Sequence, residues 1–378
     1  MTTFGNGRIV TSQGLLEVGW VEVADGMIRE LGPGIPDQPL DVDLRGRTLV
    51  PGFVDQHSHG GGGCSFITTD VAEARKAAEL HLRHGTTSMI ASLVSGSQAA
   101  LIDQIGVLSP LVDDGTIVGI HLEGPWISTL HCGAHDVAQL RAPVQEEVAE
   151  LLAVGAGRIK MVTIAPELPG AMSAIASIVQ AGALAAIGHS DADYETGVAA
   201  IEAGARVATH VSNAIRPLRH RDPGATGAVL EDPRVNLELI ADGTHVHRVI
   251  LKLVIREAGV DRVSLITDAM AAAGSADGRY MLGELEVDVV DGVARLVEGG
   301  AIAGSTLTMD GAVRFMTMQA GLPIADVVTM ASTNPARLLG LTDRGSIEVG
   351  KRADLVILSS ALTVDAVMRA GAWVVVPA

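Results

Sequence analysis

The sequence predicts an α/β protein: a (β/α)8 TIM-type barrel carrying a small β-sandwich domain built from both chain ends. Three observations carry this reading. Eight short apolar runs alternate with segments of helical spacing, and both termini read as β strands separated by turn residues. The polar residues that close the apolar runs would all meet at one end of a closed barrel.

The N-terminal part, residues 1–50, holds the runs RIV and GLLEVGWVEV, a turn at Asp25-Gly26, then MIREL and a Gly/Pro-rich stretch. Alternation and turn chemistry make this an antiparallel β unit. The far end, residues 341–378, offers a matching piece, GSIEVGKRADLVIL followed by AWVVV. One small domain assembled from both ends is therefore expected, with residues 51–340 inserted between them as the barrel.

The barrel strands are expected at 49–56, 86–94, 116–122, 158–165, 183–188, 206–211, 235–241 and 262–267. Helical spacing fills 71–84, 97–108, 144–154, 170–181, 193–203 and 245–258. A doubly wound sheet shares that rhythm. The barrel is favoured by the residues that end the runs: His57, His59, Ser95, Glu123, Glu167, His189, His210, Asp242 and Asp268. A barrel gathers such ends on one face, whereas an open sheet spreads them along an edge. Residues 279–303 read as a β-hairpin insertion with a turn at Asp291-Gly292, preceded by the small-residue stretch AMAAAGSADG.

Composition narrows the function classes. The chain of 378 residues is 48% hydrophobic, and its 44 glycines follow no collagen-like period. That is a globular composition. A net charge of −17, from 27 Lys+Arg against 44 Asp+Glu, argues against a nucleic-acid partner. Two cysteines cannot build a disulfide framework, and the first residues lack a basic segment followed by an apolar core. Without a run of about 20 apolar residues no membrane span is expected. A cytoplasmic protein is expected.

The chemistry concentrates in a few short stretches. In PGFVDQHSHGGGG, His57 and His59 are two apart on an extended strand, share a face and can grip one ion. In HLEGPWI, Glu123 ends an apolar run, where an unpaired carboxylate is costly; a metal or an arginine would compensate it. His121, deeper on that face, reads as a hydrogen-bonded core histidine. His189 in IGHSDA and His210 in ATHVSNA each close a strand. Four histidines and a glutamate at strand ends form a mixed N/O donor set that suits Zn²⁺, with Fe²⁺ and Mn²⁺ as alternatives. Asp268 in LITDAM ends the eighth strand, beside the first in a closed barrel. It can take a proton from an attacking water and pass it to a leaving group, or serve as a further ligand or cap. The basic stretch NAIRPLRHRDPG, with Arg216, Arg219 and Arg221, is either an anion clamp or a solvated loop. Cys64 and Cys132 fall in loops at the same end, as ligands, redox-active thiols or apolar filler.

These stretches resemble the N-acetylglucosamine-6-phosphate deacetylase family of the amidohydrolase superfamily. PGFVDQHSHG, HLEGPWI, GAHD, GHSDA, THVSNAIRPL, ADGTHVH, LITDAM, ASTNPARLLGL and GKRADLV occur in order over nearly the whole chain. The resemblance implies Glu123, His189 and His210 as principal metal ligands, and His57 with His59 as a pair for a second ion. One or two divalent ions per subunit are therefore expected. It implies Asp268 as the catalytic carboxylate and His245 as the group that polarises the acetyl carbonyl. Ala134 and His135, then Asn213, Ala214 and Arg221, match substrate contacts, and Ile302, Ala303 and Gly304 match a further lining segment. The implied reaction hydrolyses the acetamide of N-acetylglucosamine 6-phosphate to glucosamine 6-phosphate and acetate, in a homodimer. The rivals are cyclic-amide hydrolases, an N-acyl-D-amino-acid deacylase and a non-catalytic homologue. The cyclic-amide type resembles barrels with a carboxylated lysine at the end of the fourth strand, whereas Lys160 here lies near that strand's start.

Overall fold

The computed structural model describes residues 1–377. Contacts divide the chain into two compact units. One comprises Met1–Asp55, Glu79–Ser88 and the chain from Thr308 onward; the other comprises Gln56–Ala78 and Met89–Leu307.

The first unit contains a sheet to which both ends of the chain contribute. Its path runs Ala372–Val375, Val364–Arg369, Leu355–Leu358, Thr48–Pro51, Thr2–Thr11, Gly14–Ala24 and Met27–Pro33, and Val42–Asp43 also pairs with Thr2–Thr11. Phe4, Ile9, Val21, Leu49, Leu355 and Ile357 form its buried cluster. Asp25 and Gly26, at φ 53° and 73°, make the tight turn expected from the sequence.

Eight parallel strands in sequential order form the barrel: β1 Phe53–Asp55, β2 Thr86–Leu93, β3 Gly119–Glu123, β4 Ile159–Ile164, β5 Leu184–Ile187, β6 Val207–Ala208, β7 Asn236–Ile240 and β8 Val263–Ile266. Beyond their ends the first and last runs meet. Ser58 bridges Ala269 in parallel, Asp268 N–H donates to His57 O at 2.8 Å and His59 N–H to Ala269 O at 2.7 Å. The helices Val71–Arg83, Gln98–Asp113, Gln145–Gly155, Ala171–Gln180, Tyr194–Ala203 and Arg248–Ala258 fall where helical spacing places them.

Three differences from the sequence reading have local causes. The run at 49–56 is two strands, because the chain breaks at Gly52: its N–H leaves for Asp354 O, and a Cβ there would lie 2.1 Å from Thr87 Oγ1. The sixth barrel strand stops at Ala208, since His210, Ser212 and Ala214 adopt φ of 29°, 81° and 44°. A helix at Gly224–Glu231 was not expected, its Gly-Ala-Thr-Gly opening being a poor helix former. Packing explains it: a Cβ on Gly197 would lie 3.0 Å from Ala225 Cα, so small residues let this helix approach Tyr194–Ala203 closely.

The insertion is a three-stranded antiparallel sheet, Gly278–Leu282, Leu285–Val290 and Val293–Leu296. Asp291 and Gly292, at φ 52° and 73°, form its expected turn. Leu282, Val287 and Ala294 pack with Met270, Ala271 and Ala303 in one cluster.

Gly188 follows β5, and a Cβ there would lie 2.6 Å from Thr209 Cβ and 2.9 Å from Thr163 Cγ2. Gly188→Ala is expected to cost about 1–3 kcal/mol through overpacking, read as a lowered thermal midpoint of the purified protein.

Candidate active site

The side chains of the site leave the barrel at abrupt ends. His189 and Asp268 both sit at φ 48° and His210 at 29°, a region that non-glycine residues seldom occupy. Such backbone is held only where its surroundings fix it, and it gathers at functional sites. Here it turns these residues out of the strand alternation at the strand ends.

Glu123 stands at the centre. Its Oε2 lies 3.1 Å from His59 Nε2 and 3.5 Å from His57 Nε2, while its Oε1 lies 3.1 Å from His189 Nε2 and 3.0 Å from His210 Nε2. The nitrogens also face one another, at 3.2 Å for His57 and His59 and 3.1 Å for His189 and His210. Asp268 Oδ1 is 3.3 Å from His59 Nε2 and 3.5 Å from His57 Nε2. All of these residues are buried.

This donor set fits metal ions. The far nitrogens of three rings have acceptor partners: Ser92 O for His59 at 3.2 Å, His131 O for His189 at 2.8 Å, and Glu238 Oε2 for His57 at 3.2 Å. Carbonyls and carboxylates only accept, so Nδ1 carries the proton and each Nε2 turns its lone pair inward. Converging lone pairs and a carboxylate form a coordination site, not a hydrogen-bonded cluster. Two groups can each hold an ion: His57, His59 and Glu123, and Glu123, His189 and His210.

Electrostatics gives the same answer. Burial pushes the Glu123 carboxyl up, but the imidazoles packed against it, His57 first and then His135, His189 and His210, outweigh this and hold the group well below its ordinary range. Burial lowers His57, and Glu123 with Asp268 reverse this and raise it well above the ordinary value. The centre therefore demands positive charge. Beneath it His121 is neutral, because burial and then the charge of His57 lower it; its ring bonds Ser92 Oγ and Thr163 Oγ1. It is the core histidine expected from the sequence.

A cavity of about 500 Å³ opens over this cluster, a size that suits a small polar ligand. Its walls include His59, Glu123, Ala134, His135, His189, His210, Asn213, Ala214, His245, Asp268, Ile302 and Gly304. Three sequence candidates are placed otherwise. His57 lies fully buried beside Glu123, Ala303 packs in the insertion cluster, and Arg221 is exposed with its guanidinium on His220. Arg216 is engaged by Asp191, through Nε and Nη2 at 3.1 Å each. Cys132 borders the cavity; Cys64, half-buried, is not among its lining residues.

His135 stands closer to the centre than the sequence suggested. Ser95 N–H donates to its Nδ1 at 3.2 Å, so Nε2 bears the proton, and that Nε2 is 3.4 Å from Glu123 Oε2. Burial lowers its pKa to about 4, which keeps it a neutral donor. Sequence reasoning missed Glu238, although a carboxylate inside the apolar run NLELI was a readable signal. It also missed His131 and Leu282, which carry no distinctive pattern.

Residues 48–374 match the amidohydrolase family. The chain belongs to the amidohydrolase family. Amidohydrolases are metal-dependent, which agrees with the two candidate ligand groups. The chain is 35% identical to N-acetylglucosamine-6-phosphate deacetylase of Lysinibacillus sphaericus, covering 97% of this chain and 96% of that one. It is 37% identical to N-acetylgalactosamine-6-phosphate deacetylase of Escherichia coli O157:H7, over 96% and 97%. Among solved structures it is similar to N-acetyl-D-glucosamine-6-phosphate deacetylase from Mycobacterium smegmatis. That structure is of an aspartate-to-alanine mutant in complex with N-acetyl-D-glucosamine-6-phosphate, with 46% identity, TM-score 0.97 and 99% of both chains covered.

His245 is tied to Asp242, whose Oδ2 lies 2.6 Å from its Nδ1. Burial lowers the His245 pKa, but this bond and the Asp242 charge raise it above the ordinary value. The pair's contribution to stability is therefore complete between the ordinary carboxylate range and about pH 6.5; it is lost as pH rises through the raised His245 value and, at the acid end, as pH falls through the lowered Asp242 value. Asp242→Asn removes the charge and leaves burial opposed only by the smaller effect of Asp268. Titration of the His245 ring by NMR is expected above the ordinary value in the native protein and below it in the variant.

Proposed function

We propose that this chain hydrolyses the acetamide of N-acetyl-D-glucosamine 6-phosphate, releasing acetate and D-glucosamine 6-phosphate. The observation that carries the reading is a buried carboxylate, Glu123, set between two histidine pairs at the floor of a sugar-sized cavity. Asp268 and His135 stand beside it. Full-length similarity to N-acetylhexosamine-6-phosphate deacetylases supports the same reading. Zn²⁺ is the inferred metal, with Fe²⁺ and Mn²⁺ as alternatives, on the mixed N/O donors. Glu123, His189 and His210 would hold one ion, and His57 with His59 a second. A metal held there acidifies a water and polarises a carbonyl oxygen.

The remaining steps belong to the chain's own side chains. Asp268, beside His57 and His59, takes the proton of the attacking water and delivers it to the departing amine, which leaves poorly as an anion. The N–H groups of His245 and His135 are the donors for the developing oxyanion. His135 is the neutral donor beside Glu123, while the Asp242 carboxylate bound to His245 raises that ring's pKa and strengthens its pull on anionic oxygen. Asn213, Ala214, Ile302 and Gly304 line the same cavity and are the inferred sugar contacts. Binding energy at the phosphate, remote from the reacting bond, positions the acetamide.

Arg221 is the inferred phosphate clamp. It is exposed and outside the cavity wall of its own chain. This supports a homodimer in which the loop of one subunit serves its neighbour. A phosphorylated sugar substrate and two free thiols support a cytoplasmic location. The sheet made from both chain ends supports a β module at 1–50 and 341–378 around a barrel at 51–340. The N-acetylgalactosamine-6-phosphate deacetylase relative, at 37% identity, favours the 4-epimer as a second substrate reading.

Acetate release decides between these readings. N-Acetylglucosamine 6-phosphate is expected to turn over well and unphosphorylated N-acetylglucosamine poorly. Faster turnover of N-acetylgalactosamine 6-phosphate would move the assignment to that sugar, and turnover of neither ester would refute it. Asp268→Asn is expected to lower kcat by about 10²–10⁴-fold with the fold intact. Arg221→Ala is expected to raise KM for the phosphate ester; an unchanged KM contradicts the clamp.

A further inference from the structure

Glu238 lies in the middle of β7, in the apolar run Asn-Leu-Glu-Leu-Ile, with 0% of its surface exposed. A carboxylate in such a place is costly unless it is paired and hydrogen-bonded. Its partners lie on the two flanks of the candidate metal centre. Gln56 Nε2 donates to Oε1 at 2.8 Å, His57 Nδ1 lies 3.2 Å from Oε2, and the His210 backbone N–H lies 3.4 Å from Oε2. No lysine or arginine pairs with it among the described residues.

The four inward-facing histidines differ in this respect. His59 and His189 rest their Nδ1 on neutral carbonyls, those of Ser92 and His131. His210 Nδ1 has no hydrogen-bond partner among the described residues. His57 alone rests its Nδ1 on a carboxylate. Gln56 fixes that carboxylate in turn: its Oε1 is unpartnered, so the bond to Glu238 sets its orientation, and the flipped amide would press oxygen against oxygen. A carboxylate behind an imidazole fixes the tautomer and makes the opposite nitrogen a stronger donor.

We propose that Glu238 is the positioning residue that makes the His57–His59 half of the centre a filled metal site. It rests on the metal-dependent reading above and goes beyond it by separating the two ions. The ion on His57 and His59 depends on Glu238, whereas the ion on His189 and His210 does not.

The test is metal stoichiometry and affinity, with native protein and Glu238→Gln dialysed against the same buffered free zinc. Native protein is expected to hold about two equivalents and the variant about one, with the second ion bound about 10–100-fold more weakly. Glu238→Asp should restore part of that affinity, which a merely structural role would not predict. Equal tight binding of both ions by Glu238→Gln overturns the proposal, as does native protein that holds one ion and is matched by the variant. Native protein that holds none refutes the metal reading itself. Should Glu238→Gln fail to fold, the zinc-loaded native protein still decides. A strongly deshielded His57 Nδ1–H proton resonance, lost in His57→Ala, supports the proposal, and its absence overturns it.

Discussion

Glu123 places a carboxylate at the heart of the barrel, where water does not solvate it and where its ion-pair partners, among the described residues, are all histidines. An isolated buried carboxylate is among the costliest groups a protein can hold. Around Glu123 that cost is offset by convergence. Two imidazole pairs address its two oxygens separately, and Asp268 adds a second anion beside one pair. The assembly makes electrostatic sense with divalent cations in it, because these bring the positive charge that neutral imidazoles lack.

The barrel supplies the rigidity this arrangement needs. The strands bring the ends of distant sequence segments to one face, and backbone with positive φ at His189, His210 and Asp268 turns three of the residues out of the strand alternation. A layer of hydrogen bonds then fixes the rings. Ser92 illustrates the economy: its carbonyl accepts from His59, while its hydroxyl accepts from Ser58 N–H and pairs with His121. Asp191 plays a comparable part above His189, joining His131 to Arg216.

Much of this was legible in the sequence, and the boundary of legibility is physical. The barrel could be read because apolar runs and helical spacing alternate, and the donors could be read because they close those runs. His57 and His59 are visible as a pair since strand geometry puts alternate residues on one face. His135 and Glu238 were harder. The role of His135 depends on a loop whose path no periodicity encodes. Glu238 acts through His57 from a strand far away in sequence, so its meaning appears only when the fold brings its side chain against Gln56 and His57. The helix at Gly224–Glu231 was hidden because glycines that favour close packing argue locally against a helix. The early end of β6 depends on positive φ at His210, Ser212 and Ala214, residue types whose chemistry does not demand it.

On this reading the cluster around Glu123 works as a divalent-metal centre for amide hydrolysis. The most direct test is to strip the protein with a chelator and follow acetate release from N-acetylglucosamine 6-phosphate as zinc is returned in measured equivalents. Activity that is negligible at the start, climbs with added metal and saturates at one or two equivalents per chain is the predicted result. Turnover that is unchanged by stripping, or absent at every metal loading with the fold intact, would contradict it.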